Sequence, residues 1–278
     1  MKTTNKIQIP DIKQEEICDS LVELKYKERV VKKSLKYQTA LADLNTLYEE
    51  EKDNMANDDE YKAHMKKMYS ERFSNQNYAA YKYYKKIRES QTYCPYCNVI
   101  SHSVKQLDHY LPKSIFPVYS VTAVNLVPIC SDCNEYKKGY FSTEKKGMLL
   151  HPYFDELAKH SFDFIKCEII ENEKIGFKFY IQKLYEWSED DYHRVCLHFE
   201  KLKLNDLYRT DFDGHFTAFC YEIKDVYNNS GIDEVKINIE RRMNSYIRSS
   251  ISPWLYAGYN ALYESKWFFE YYLKKLFD

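Results

Sequence analysis

The chain has 278 residues, enough for one or two domains with a sizeable core, and its 44% apolar and 30% charged content is an ordinary globular balance. A formal charge of −1 excludes a generally basic nucleic-acid binder, so any such site has to be a local patch. No apolar run approaches the roughly 18 residues of a membrane span, and the opening MKTTNKIQIPD holds no signal-peptide core, so a cytoplasmic protein with reduced cysteines is expected.

The aromatic fraction is 17%, with 28 tyrosines. Usage rich in Tyr, Lys, Ile and Asn also follows from an AT-rich genome, so no stacking role is read from it. Residues 13–90 contain neither glycine nor proline and are rich in Leu, Ala, Glu and Lys, which predicts two or three long helices. A polar break between Asp53 and Asp59 separates them. Glu49–Glu51 reads as a solvated helix end. The basic and aromatic run YAAYKYYKKIR, Tyr78 to Arg88, reads first as a helix packing on its neighbour and second as a guide for nucleic acid.

The stretch from Tyr93 to Asp155 differs in kind. It carries two Cys-x-x-Cys pairs, Cys94/Cys97 and Cys130/Cys133, which together suit the closed tetrahedral coordination of structural zinc. The 32 residues between the pairs are more than a simple zinc ribbon needs. Val104 to Tyr110 alternates as a strand ending near Asp108-His109, Leu126 to Ile129 is a second short strand, and Ser131 to Lys138 begins a helix capped by Ser131 or Asp132. The expected unit is β-β-α, its helix carrying Asn134.

Beyond it, Asp163 to Ile169 and Ile175 to Ile181 alternate around a polar turn at Glu171–Lys174, a β-hairpin with one buried side. Ser188 to Asp191 resembles a capping box. Further helices are expected over Leu207–Tyr227, Asp233–Ile247 and Trp254–Phe277, the last started by Ser252 as cap and Pro253 in the first turn. Cys18, Cys167, Cys196 and Cys220 are scattered singly and read as small core residues. The aromatic density of the last helix suggests a buried or partner-covered surface.

The order YCPYC, LDHYLPKS, NLVPICSDCNEYKKG resembles that of HNH endonucleases of the His-Me finger group, in the version whose ββα-metal finger is framed by a four-cysteine zinc site. Asp108-His109 matches the first motif position, Asn125 the middle one and Asn134 the last, over roughly the middle quarter of the chain. The resemblance implies that Asp108 and Asn134 hold a hard divalent cation, magnesium or manganese, through oxygen donors. It also implies that His109 activates water and that Asn125 orients the loop bearing it. Lys113, Lys137 and Lys138 are candidate phosphate contacts, and His151 is weighed evenly between an extra metal or phosphate contact and a satisfied buried histidine.

The expected fold class is therefore α+β, mainly helical: a helical region over 1–90, an HNH nuclease domain with zinc knuckles over 91–160, and a C-terminal β-hairpin plus helices over 161–278. The expected function is metal-dependent hydrolysis of nucleic-acid phosphodiesters, DNA first and RNA second. By analogy with nuclease subunits of anti-phage systems such as Septu, an ATPase subunit is the expected partner. The competing reading is a non-catalytic zinc module that binds nucleic acid or protein.

Overall fold

The computed structural model describes residues 7, 9–56, 58–157 and 161–277. They form a mainly helical α+β protein with two small antiparallel sheets. The chain divides into two compact units, Ile7–Asp155 and Glu156 onward. No helix among the described residues is long and apolar enough to cross a membrane.

The first unit begins with α1 (Gln14–Leu21), α2 (Leu24–Leu35), α3 (Tyr37–Ala40), α4 (Leu44–Ala56) and α5 (Asp59–Lys67), followed by a π-helical turn, Met68–Phe73, and α6 (Tyr81–Arg88). These helices are shorter than the glycine-free composition suggested. Two aspartates explain much of the difference by ending one helix and opening the next: Asp43 accepts from the Thr46 amide at 3.0 Å and Asp58 from the Tyr61 amide at 2.8 Å. The expected break between Asp53 and Asp59 falls in its C-terminal half, after α4 ends at Ala56 and before α5 starts at Asp59. Glu51 is fully buried, which corrects the solvated reading of that acidic run, although Glu49 and Glu50 are exposed. On α6, Tyr84 and Ile87 are buried while the lysines face outward, and the helix packs on the first sheet.

That sheet pairs β1 (Gln106–His109) with β2 (Leu126–Ile129), placing Asp108 opposite Val127 and His109 opposite Leu126. Helix α7 (Ser131–Lys137) follows at once, so two strands and a helix occur as expected. The cap of α7 is Cys130, whose sulfur accepts from the Cys133 amide, and not Ser131 or Asp132.

In the second unit α8 (Ser161–Phe164) leads into β3 (Ile165–Ile170), paired with β4 (Gly176–Ile181) so that Cys167 faces Phe179 and Ile169 faces Phe177. Ser188 caps α9 (Glu189–Lys201) by accepting from the Asp191 amide. Helix α10 (Leu204–Ser249) breaks at Gly231, where φ is 78°, a conformation side-chain-bearing residues rarely adopt. Beyond the break Arg242 reaches back to pair with Glu222 and to lie over the Phe219 ring, so the two halves lie side by side. Helix α11 (Pro253–Glu264) starts at Pro253 as expected, but Ser252 is left-handed and makes no side-chain cap. A π-helical turn, Phe268–Tyr272, leads into α12 (Leu273–Phe277).

The rings of Phe177, Phe179, Tyr208, Phe212, Trp254 and Tyr259 interlock as the core of this unit. Much of the aromatic C-terminal stretch is thus buried within its own unit, leaving Tyr263 and Tyr271 as its exposed rings. Among the lone cysteines only Cys18 is fully buried; Cys167, Cys196 and Cys220 are half-buried.

Candidate catalytic and metal site

Four thiols converge where the two knuckles meet. Cys94, Cys97, Cys130 and Cys133 are buried, and their sulfurs lie within 4.8 Å of one another, Cys97 and Cys130 at 4.0 Å. Tetrahedral zinc with Zn–S bonds of about 2.3 Å sets its sulfurs about 3.8 Å apart, so the donor set fits a metal such as zinc. The first knuckle closes through the Asn98 amide on the Cys94 carbonyl, with Asn98 left-handed at φ 55°. Mutual hydrogen bonding draws the Cys130 thiol down while pushing Cys97 and Cys133 up, as expected where thiols share protons in one small cluster.

His109 closes β1. Its Nε2 lies 2.9 Å from the Ser120 carbonyl, a contact that fits only an N–H donor and leaves Nδ1 with the lone pair in the neutral ring. The imidazole is half-buried, edge-on to Tyr69 at 4.3 Å between ring centres. Desolvation, with the Lys113 and Lys137 cations adding, pushes its pKa down to about 3. Lys113 sits over the same Tyr69 ring at 4.4 Å, and its own pKa is lowered by burial and by Lys66. A cation and a basic nitrogen thus share one aromatic partner.

Asn125, fully buried, holds the loop after β1. Its Oδ1 accepts from the Leu111 amide at 2.8 Å and the Tyr37 hydroxyl at 2.7 Å, while Nδ2 donates to the Leu111 and Tyr119 carbonyls, both at 3.1 Å. It ties the two ends of the 111–119 loop together, next to the Ser120 carbonyl that holds His109. An orienting role is what these four bonds can perform.

Asp108 has a different environment from the one expected. It is 4% exposed, with one oxygen 3.0 Å from the Lys137 ammonium and the other accepting from Tyr96 at 2.7 Å. Lys137, 1% exposed, also donates to the carbonyls of His109 and Tyr110. The reading of Lys137 as a surface phosphate contact is therefore corrected: its charge is spent inside the fold. Asn134 is half-exposed and its amide donates to Gln106 at 2.6 Å. Asp108 and Asn134 thus engage Lys137 and Gln106, and in this arrangement they do not form an open hard-cation site.

His151 is 1% exposed, with Nδ1 accepting from the Tyr153 amide and its ring against Tyr110 at 4.1 Å, which corrects its reading as a phosphate or metal contact in favour of a satisfied buried histidine. Asp155 accepts from the His151 amide and closes that turn. Lys138 is exposed and pairs with Glu135 at 2.9 Å. The sequence reading missed Tyr96, Tyr37 and Ser120 as partners of the motif residues. It also missed Lys137 as the partner of Asp108, although the spacing held the signal. Gln106 and Asp108 share a strand face, Asn134 and Lys137 share a helix face, and the two faces meet.

No model of a known protein family matches the chain, and no solved structure matches it either. A curated relative, Protein ea31 of Escherichia phage lambda, is 30% identical over 158 residues, or 56% of this chain and 53% of that protein. The chain thus spans about half the length of the curated relative it matches.

Proposed function

We propose that the Ile7–Asp155 unit hydrolyses nucleic-acid phosphodiesters as an HNH-type endonuclease, with DNA as the first substrate and RNA as the second. The observation that carries this reading is His109, locked by the Ser120 carbonyl so that Nδ1 keeps its lone pair. In the proposed step Nδ1 takes a proton from water, the resulting hydroxide attacks phosphorus, the bond to one ester oxygen breaks, and the departing alkoxide takes a proton from a second water to leave as the alcohol. A positioned base contributes on the order of 10²- to 10⁴-fold in rate when its pKa lies near the working pH, which here requires a bound phosphate to offset the burial and the cations that hold the His109 pKa down. Lys113 is the cation placed to meet a phosphate oxygen beside it. The thiolate cluster supports the reading as scaffold, since zinc there fixes the knuckle from which α7 starts.

A magnesium or manganese ion on Asp108 and Asn134 is implied by the resemblance to HNH enzymes but does not fit the side chains as they stand, so no step is routed through it. Purified protein incubated with plasmid, single-stranded DNA and RNA, with and without magnesium or manganese, tests the activity. His109→Ala is expected to lower cleavage at least about a hundredfold with zinc content intact; cleavage at the unaltered rate would sink the base assignment.

One observation favours a second reading, a zinc module that binds without cutting: Asp108 is buried and fully engaged by Lys137 and Tyr96. Saturable oligonucleotide binding with no cleavage under any metal would select it. An ATPase partner in anti-phage defence rests on family analogy alone, and a relative from a phage adds nothing to it. Co-purification with the neighbouring gene's product by size exclusion tests that partner.

A further inference from the structure

Between α2 and α4 lies a half-open pocket of about 640 Å³ that no step of the proposed reaction uses. Its size falls within the range of small-ligand sites. Five cations line it, Lys25, Arg29, Lys32, Lys33 and Lys36, against three carboxylates, Glu28, Asp43 and Glu50. Lys25 is paired with Glu60 and Lys33 with Glu50. Lys32 and Lys36 have no carboxylate partner among the described residues, and Arg29 lies over the Tyr61 ring at 4.1 Å.

An independent observation points to a ligand. Tyr119, wholly buried and part of the pocket lining, has a hydroxyl with no hydrogen-bond partner among the described residues, and so does Nη2 of Arg29. Leaving such groups unsatisfied costs about 1–3 kcal/mol each, so a partner from outside the chain is the economical explanation. Both can donate; the carboxylates of Glu51 and Glu50 lie close enough to act on the Tyr119 hydroxyl, but five lining cations against three lining carboxylates leave a positive excess that favours an anion. A guanidinium with flanking ammonium groups is the usual receptor for phosphate oxygens. Ala40, Leu47 and the Tyr119 ring supply an apolar side for the remainder of the molecule.

We propose that this pocket binds a phosphate-bearing small ligand of nucleotide size, with Arg29, Lys32 and Lys36 on the phosphate and Tyr119 Oη donating to it. The binding does not depend on the nuclease reading. Its consequence does: Tyr119 belongs to the short 3-10 turn Pro117–Tyr119, its carbonyl is held by Asn125, and the next carbonyl, that of Ser120, fixes His109. A ligand drawn to Tyr119 Oη would act on the turn that sets the imidazole, making the pocket a candidate regulatory site.

Isothermal titration calorimetry of the zinc-loaded full chain with ATP, AMP, pyrophosphate and a short single-stranded oligonucleotide tests the proposal. Saturable one-to-one binding of ATP or pyrophosphate is expected, weakened about tenfold or more by the Lys32→Gln/Lys36→Gln pair and by Tyr119→Phe. Both variants keep the apolar packing, and unchanged thermal melting shows that the fold is intact. ATP tighter than pyrophosphate identifies a nucleotide; equal affinity identifies the phosphate alone as the recognised group. Absence of binding by both probes, binding indifferent to the substitutions, or tighter binding of the oligonucleotide that weakens steeply with salt would each overturn a small-ligand pocket. Cleavage is measured separately, so a pocket that binds without altering cleavage leaves the site standing and removes only the regulatory link.

Discussion

Between Tyr93 and Lys138 the chain is organised by sulfur and by side-chain hydrogen bonds, whereas from Ser161 to Phe277 it is organised by rings. The first stretch buries Asp108, Lys137 and Asn125, each with its polar partners assigned, around a short two-stranded sheet. The second packs Phe177, Phe179, Phe212 and Phe216 from a hairpin and a helix edge-to-face, with Trp254 stacked flat on Tyr208. Apolar packing is non-directional and tolerates rearrangement, while polar networks demand one geometry. A site that must aim an imidazole is better served by a polar network, and the candidate chemistry lies in the first stretch.

Removing any metal held by the four thiols should expose the contrast most sharply. Chelation, or Cys97→Ser, is expected to release the ion and to cost on the order of 10 kcal/mol in the first unit, because structural zinc binding is itself folding free energy. Hydrogen exchange would show protection lost over 93–138, and full retention of thermal stability would refute the four-thiolate reading. Phe212→Ala is the counterpart in the second unit, with an expected cost of about 3–5 kcal/mol and unaltered zinc content by atomic absorption. Lys137→Met should cost a similar amount, about 3–5 kcal/mol by denaturant melting, since it leaves Asp108 as a buried charge without its cation. A neutral result there would mean that Asp108 is protonated or re-paired. The smallest effect is expected from Gly258→Ala: an added Cβ would meet the Phe212 ring at 2.3 Å, and such overpacking costs about 1–3 kcal/mol.

How much of this was legible from residues alone differs between the same two regions. The second sheet could be read almost to the residue, because alternation of Phe177 and Phe179 with Lys178 and Tyr180 is a local signal. The clustering of the four cysteines was legible because Cys-x-x-Cys spacing is also local. What escaped was pairing across the fold. Lys137 and Asp108 are 29 positions apart, so their pairing showed only in the match of a strand face to a helix face, and nothing near Glu51 announces its burial. The N-terminal helices were read as too long because the absence of glycine and proline says nothing about Asp43 and Asp58 as stops; an aspartate three residues before a free amide was the available sign.

Cys130 belongs to the cluster of thiols that could hold a metal and is also the residue that starts α7. Two turns further along, that helix delivers the ammonium that neutralises Asp108, the neighbour of the imidazole. Loss of a metal from the four thiols is therefore expected to alter the charge balance beside the imidazole as well as the rigidity of the knuckle.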